Sequence, residues 1–218
     1  MTMRNLAAGI AILAAALSGC VSTPSIPPAG DPAAVWEKRV EELSRIDSWE
    51  VKGKLAVKTH KRGGQANMLW KRDGEDHNIN LYGPLGGGRV VLIRDRDGAT
   101  LRDNKKRTYH ATTAEELLYR VAGWQVPFQA MRYWVLGVPN PGQEYEQSVD
   151  DWGRLQNLKQ AGWEVEFIEY REFEGRELPR KFHMKALPGK QHIVEDEFNE
   201  SDQVRVRVII NGWRFLSS

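Results

Sequence analysis

The sequence predicts a mainly β fold: a barrel or strongly curved sheet of short antiparallel strands, with a few helices at its start and middle. In one segment after another, apolar residues alternate with polar ones at period two, and Gly-containing turns separate many of these segments. Helical periodicity occurs in only three places after the first 30 residues. The chain has 218 residues, 41% of them hydrophobic and 28% charged, which is typical of a globular domain of ordinary size.

The first twenty residues predict an export signal with a site for lipid attachment. Arg4 precedes a twelve-residue apolar run over 6–17, and the segment ends in Leu17-Ser18-Gly19-Cys20. A short positive region followed by such a run is typical of a signal peptide, and its last four residues resemble a bacterial lipobox. We therefore expect removal of residues 1–19 and attachment of diacylglycerol and an N-acyl chain to Cys20. Because Cys20 is the single cysteine, a disulfide framework and a cysteine-based zinc site are excluded.

The residues after Cys20 indicate the destination of the protein. Inner-membrane lipoproteins of enterobacteria typically carry Asp at this point, whereas here Val21 and Ser22 follow. The predicted location is the outer membrane, with the lipid anchor in the bilayer and the domain facing the periplasm. Residues 20–30 contain three prolines and predict a semi-extended linker between anchor and domain.

One domain is predicted over residues 31–218, beginning with an amphipathic helix over 32–46. Asp31-Pro32 is an N-cap followed by an N1 proline. Period-two alternation predicts ten strands, over 49–57, 65–72, 76–82, 89–95, 99–103, 106–110, 152–160, 162–170, 179–187 and 204–210. Turns are predicted at Gly63-Gly64, Asp73-Gly74 and Asp97-Gly98.

Two further helices are predicted in the middle of the chain. Thr112 and Glu115 form a capping box that opens a helix ending at Gly123. Pro127 opens the second helix, which stops at Gly137, and a loop containing Pro141-Gly142 follows.

Several classes of function are disfavoured by composition and spacing. The net charge of +2 argues against nucleic acid as the main partner. The five histidines never stand at metal-ligand spacing, and there is no nucleophile-elbow motif. A triple glycine over 86–88 leads into a strand rather than a helix, which argues against a phosphate-binding loop. We expect no enzyme activity, no metal and no cofactor.

The most unusual feature of the composition is eight tryptophans, spread over nearly every predicted element. They are either ordinary core residues or, in part, the lining of a cavity for one apolar ligand. Met68, Trp70, Phe128 and Trp134 are candidates for such a lining, because large rings and a pliable thioether suit an acyl chain without fixed shape.

The loop over 82–88 is rich in glycine and surrounds Leu85, which has no periodic apolar partner. Such a leucine is either an ordinary surface residue or a reversible membrane probe.

In order and spacing, these features resemble the LolB family of outer-membrane lipoproteins, which receive and insert other lipoproteins. The residues that carry the resemblance run from the lipobox to Trp213: Trp36, 53–57, Trp70, 84–86, 114–118, 134–137, Gly162-Trp163, Leu178-Pro179 and 210–213. The resemblance implies an incomplete antiparallel barrel of eleven strands, with a lid of helices over an apolar cavity for acyl chains. It also implies that Leu85, with Pro84 and Gly86, is the membrane-directed residue of a protruding loop.

The resemblance further implies the partners: a periplasmic carrier of the LolA type, lipoprotein acyl chains and outer-membrane phospholipid, with the protein itself a monomer. Leu81 and Leu118 join the cavity candidates on this basis. The acidic segment over 189–203 is longer than the usual hairpin of the family, which leaves the pairing of the last strands open. The alternative function is an envelope scaffold lipoprotein with a filled core and no acyl-chain ligand. A lipid-modifying hydrolase is a third hypothesis, and the sequence shows no recognisable nucleophile and base for it.

Overall fold

The computed structural model describes residues 30–58, 63–83, 88–122, 127–188 and 204–216. Several segments to which the sequence assigns a role lie outside these ranges: the signal peptide 1–19, Cys20 and the linker as far as residue 29, the loop tip with Pro84, Leu85 and Gly86, and the acidic segment 189–203.

Three helices and eleven strands make up the described fold. The helices are α1 (Pro32–Ser44), α2 (Ala114–Ala122) and α3 (Phe128–Trp134). The strands are β1 (Ser48–Lys58), β2 (Gly63–Asp73), β3 (Asp76–Tyr82), β4 (Arg89–Asp95), β5 (Gly98–Arg102), β6 (Thr108–Ala111), β7 (Tyr145–Val149), β8 (Leu155–Gln160), β9 (Trp163–Phe173), β10 (Arg176–Ala186) and β11 (Arg205–Phe215). Of the helices described here, none has the length and apolar character needed to span a bilayer.

All eleven strands form one antiparallel sheet, in the order β6-β5-β4-β3-β2-β1-β11-β10-β9-β8-β7. The first and last strands of the chain, β1 and β11, pair with each other in the middle of the sheet. Among the described strands, β6 and β7 each have only one neighbour, so the sheet is open. This arrangement confirms the predicted fold class, including the eleven strands, and β11 pairs with β10 on one side and β1 on the other.

Strand β1 bends next to β11 at Gly53, where the register of the two strands shifts. A Cβ atom at Gly53 would lie 2.3 Å from the backbone oxygen of Ile209, which is closer than any side chain can approach. Only glycine therefore fits this close crossing of two backbones.

The hairpins place two sets of connections at opposite ends of the strands. At one end, called the upper end, Lys58 pairs with Gly63 on β2 and with Arg205 on β11. The loop between β3 and β4 joins the sheet toward this end, where the N–H of Gly83 donates to the carbonyl of Gly88 at 3.2 Å. At the opposite, lower end are the turns between β2 and β3 and between β7 and β8.

Helix α1 begins at the lower end. A Cβ atom at Gly153, in the turn between β7 and β8, would lie 2.7 Å from the backbone oxygen of Pro32. The first residues of α1 therefore lie at the end of the sheet opposite to the one toward which β3 ends and β4 begins.

The capping prediction is confirmed for α1 and is wrong by one residue for α2. Asp31 Oδ1 accepts a hydrogen bond from the N–H of Ala33 at 3.0 Å. At α2, the cap is Thr113, whose Oγ1 accepts from the N–H of Glu116 at 3.1 Å, while Glu116 accepts from the N–H of Thr112. Two threonines precede two glutamates at this point, so the capping pattern occurs in two registers.

Two of the strand and turn predictions also need correction. Gly63 and Gly64 are the first residues of β2 rather than a turn. Strand β7 lies in a segment that the sequence predicts as loop. Because β7 is an edge strand with four of its five residues exposed, neither of its faces needs to be apolar, and the period-two signal is absent.

Candidate functional site

An aromatic cluster on the inner face of the sheet joins the central strands to α3. Trp49 on β1 lies between Trp70 on β2 and Trp213 on β11, with edge-to-face ring centroids 5.1 and 5.3 Å apart. Phe128, the first residue of α3, packs on Trp70 with centroids 5.6 Å apart. These four residues therefore form a continuous apolar surface between the sheet and the helix.

His77 satisfies the one polar atom of Trp70. The indole Nε1 of Trp70 donates to Nδ1 of His77 at 3.1 Å, and the imidazole and the ring of Phe128 pack edge to face with centroids 4.9 Å apart. Burial, and to a lesser extent the positive charges of Arg72 and Arg132, together lower the pKa of His77 to about 3. The imidazole is therefore neutral at pH 7, as an acceptor at Nδ1 must be.

The other end of α3 is fixed to β8 by Gln160. The indole Nε1 of Trp134 donates to Oε1 of Gln160 at 2.9 Å, and the N–H of Asn140 donates to the same oxygen at 2.8 Å. The amide nitrogen of Gln160 donates to the carbonyls of Asn140 and Gln143. One buried side chain thus holds both the end of α3 and the chain that follows it.

Polar contacts at its two sides hold α3 to α2 and to the lower end of the sheet. The N-cap residue of α3 is Pro127, whose side chain makes no cap hydrogen bond. Instead, Glu115 on α2 accepts from the N–H of Gln129 at 2.9 Å. Arg132 donates to the carboxylate of Glu75, in the turn between β2 and β3. These contacts hold the start and middle of α3, whereas its end is fixed by the buried pair of Trp134 and Gln160. The start of the helix can therefore separate from the sheet at lower cost than its end can.

The six cavity candidates all lie in, or packed against, one hydrophobic core. Met68 and Leu81 face each other across β2 and β3, and Trp70 contacts Phe128. Leu118 is half-buried on α2, which packs against β5 and β6. Trp134 is fully buried, and its indole N–H donates to Gln160. The structure therefore brings two pairs together and places the other two candidates at the covering helices.

Four polar residues of this region were missed by the sequence reasoning: His77, Gln160, Glu75 and Arg132. His77 had a detectable signal, because it occupies an inward position in the alternating strand 76–82. In the part of the chain that the structure describes, no group of three or more His, Cys, Asp or Glu could hold a metal ion.

Comparison with known proteins gives consistent matches over most of the chain. The family model described as outer membrane lipoprotein LolB matches residues 47–213. The outer-membrane lipoprotein LolB of Nitrosococcus oceani is 35% identical over 199 residues, which is 91% of this chain and 92% of the relative. The protein of the same name from Alkalilimnicola ehrlichii is 35% identical over 211 residues, covering 96% of each chain.

Solved structures with a similar arrangement have little sequence identity to this chain. A LolA superfamily protein from Nitrosomonas europaea has a TM-score of 0.49 and 8% identity, covering 87% of this chain and 96% of its own. A putative outer-membrane lipoprotein-sorting protein domain from Vibrio parahaemolyticus has a TM-score of 0.47 and 8% identity, covering 84% and 91%.

Proposed function

The chain belongs to the LolB family of outer-membrane lipoproteins, and from this premise we propose that it accepts lipoproteins from a periplasmic LolA-type carrier and inserts them into the outer membrane. In this proposal the acyl chains of the cargo bind between the inner face of the sheet and the helices α2 and α3. The protein acts as a monomer and catalyses no covalent step. The anchor is the lipid-modified Cys20, with the single domain over 31–218 in the periplasm.

The observation that carries this proposal is the aromatic cluster beneath α3. Trp70 and Phe128 are 1% and 2% exposed, yet the helix that buries them is held at its sides by polar contacts from Glu115 and Glu75. Movement of α3 would therefore expose apolar rings without breaking a strand pair of the sheet. An acyl chain could replace Phe128 as the contact of Trp70.

The energetics of transfer explain why an apolar site is needed at each stage. Exposure of a sixteen-carbon chain to water costs on the order of 10 kcal/mol, at about 0.8 kcal/mol per methylene. Transfer from the apolar site of a carrier to the apolar site of this protein largely cancels that cost. A small difference in affinity then sets the direction without ATP.

Release into the membrane is assigned to Leu85, which in the sequence stands between β3 and β4. Burial of one leucine in the bilayer contributes about 1.5–3 kcal/mol. Helix α1, which follows the anchor and linker in the chain, begins at the lower end. Residues 20–31 can reach at most about 40 Å, and an eleven-residue strand is about 36 Å long. The linker is therefore long enough for the anchor and this loop to reach the same bilayer.

The test is transfer of a lipoprotein from a LolA-type carrier to liposomes that carry the protein. The proposal predicts that the lipoprotein appears first on the protein and then in the liposome. The alternative, a scaffold with a filled core, predicts no transfer and no binding of an environment-sensitive apolar dye. Dye binding at about one molecule per protein, displaced by lipoprotein, supports the proposed function against that alternative.

A further inference from the structure

The outer face of the sheet carries a block of basic residues on its three middle strands. Lys54 and Lys58 on β1, Arg205 and Arg207 on β11, and Lys181 and Lys185 on β10 alternate with residues that face the core. The strand register places them in adjacent rows: Lys58 is opposite Arg205, which is opposite Lys185, and Lys54 is in the same row as Lys181. These six residues are called the basic face below.

The positive charge of the basic face exceeds that of the whole protein. Six basic residues lie within three strands, whereas the net charge of the chain is +2. Over these rows the three strands contain no carboxylate, and the nearest strand with acidic residues is β9. Within the described ranges, Lys185 alone of the six has an ion-pair partner, Glu164 of β9 at 2.7 Å. The pKa of His183, in the same face, is lowered by burial and by the neighbouring charges of Arg207 and Lys181.

Neither folding nor protection of a sheet edge explains this block. Like charges directly opposite on neighbouring strands destabilise a sheet, and Arg205 has such a neighbour on each side. Charged residues are often placed on edge strands to prevent aggregation, but β1, β10 and β11 lie in the middle of the sheet, paired on both sides. An anionic ligand bound to this face would offset the repulsion between its positively charged side chains.

The basic face also contains a groove. A half-open depression of about 300 Å³ lies between β2, β1 and β11, with Lys54 and Arg207 at its sides and Gln65, Asn67 and Ile209 along it. Basic groups beside neutral hydrogen-bonding amides suit a phosphate ester, whose oxygens accept from both.

We propose that the basic face binds the phosphate groups of anionic phospholipids, and so orients the protein on the membrane into which it releases cargo. This proposal rests on the proposed function. Lys58, Arg205 and Lys185 lie at the upper end of the sheet, and β3 ends and β4 begins toward the same end. Contact of this end with the bilayer would bring phosphates to the basic residues and Leu85 to the lipid. A flat anionic surface matches a face that extends over three strands.

Vesicle binding by the chain from residue 20 onward, carrying Cys20→Ala, tests the proposal without the anchor. The vesicles contain either 30% phosphatidylglycerol in phosphatidylcholine or phosphatidylcholine alone. We expect binding to the anionic vesicles that disappears at high salt, because the Debye length falls to about 3 Å at 1 M. The affinity for anionic vesicles should fall about 100-fold in a triple variant with Lys54→Gln, Lys58→Gln and Arg207→Gln, because each lost cation weakens binding about fivefold.

The matched control removes the same charge elsewhere. The control variant carries Lys38→Gln on α1, Arg45→Gln at the C-cap of α1 and Arg171→Gln on β9. All three of the replaced side chains are exposed. We expect this control to bind within threefold of the parent. Equal loss in both triple variants, or no binding by the parent, overturns the proposal. Binding that appears only after Glu195→Gln and Glu197→Gln also overturns it, since the acidic segment of the chain would then neutralise the face.

A second measurement separates failure of this proposal from failure of the proposed function. The anchored protein with the basic-face triple substitution should accept lipoprotein from the carrier at the parent rate. It should deliver cargo more slowly than the parent only when the liposomes are anionic. Normal delivery to both kinds of liposome overturns the role of the basic face and leaves the proposed function intact. Loss of acceptance would identify the face as a carrier-docking surface and would also overturn the proposal.

Discussion

Arg132 donates from one guanidinium nitrogen to both carboxylate oxygens of Glu75, at 2.7 and 2.8 Å. This contact joins α3, the helix that covers Trp70, to the turn between β2 and β3. The side chain of Arg132 is 14% exposed and that of Glu75 is 60% exposed. Because water reaches this ion pair, the pair restrains α3 but adds little to the stability of the fold.

Arg132→Gln should therefore loosen α3 while the protein stays folded. We expect the free energy of unfolding to fall by about 1 kcal/mol or less, and the affinity for an apolar dye to rise. Both are measured on the same preparation, by urea unfolding and by dye titration. Arg45→Gln is the control, because it removes an exposed ion pair with Glu41 on α1. Equal dye binding by the two variants would show that the Arg132 contact does not restrain the cover.

Trp70→Ala should cost about 3–5 kcal/mol in urea unfolding, because the ring is packed against Trp49 and Phe128. Trp152→Ala, at a half-buried tryptophan, should cost less than half as much. If Trp70→Ala does not fold, Trp70→Phe is the milder variant, because it keeps an aromatic ring while removing the donor to His77 and part of the buried ring volume. A folded Trp70 variant with unchanged affinity for acyl chains would remove this residue from the proposed site.

Acid should destabilise the protein through His77. The unfolded state takes up a proton at an ordinary pKa near 6.5, whereas the folded state does so only at a pKa of about 3. The unfolding free energy therefore falls as the pH decreases from about 6.5 toward 3, by about 1.4 kcal/mol at pH 5.5. His77→Gln removes this titration and leaves the other histidines in place. Between pH 7.5 and pH 5.5, the unfolding free energy should fall less in His77→Gln than in the parent. An equal fall in the two proteins would contradict the lowered pKa of His77.

Leu85→Glu should separate acceptance of cargo from its delivery. A charge at this loop position should change stability within about 0.5 kcal/mol, while a carboxylate opposes entry into the bilayer at a cost of a few kcal/mol. We expect normal acceptance of lipoprotein from the carrier and slow transfer to liposomes. Leu85→Ala is the control for simple truncation and should have an intermediate effect. Delivery by Leu85→Glu at the parent rate would show that the loop is not a membrane probe.

Most of the sheet could be predicted from the sequence because its strands have one buried and one wet face. In β11, for example, Val206 and Val208 alternate with Arg205 and Arg207, and the register confirms that the valines face the core. The edge strand β7 escaped prediction for the opposite reason, since a strand with both faces in water has no apolar period. The Thr113 cap was placed one residue too early because adjacent threonines and glutamates satisfy the same pattern.

The apolar part of the candidate site was also predictable, but its polar contacts were not. Trp70 and Phe128 are recognisable as inward-facing residues from local periodicity. Their neighbours His77 and Gln160 are buried polar residues, and Glu115 accepts a hydrogen bond from a helix that begins thirteen residues after it. Such pairs depend on how strands and helices meet in space, which local sequence does not contain.

The central claim is that acyl chains bind between the inner face of the sheet and the covering helices. Photo-crosslinking tests it most directly, with p-benzoylphenylalanine in place of Leu118, which is half-buried on α2 and packed against the core. The same group in place of Ile93, a residue 39% exposed, is the control. After a lipoprotein is passed from its carrier and the sample is irradiated, the account predicts a crosslink to the acyl chains at position 118 and none at position 93. Successful transfer with no crosslink at position 118, or with equal crosslinks at both positions, would contradict it.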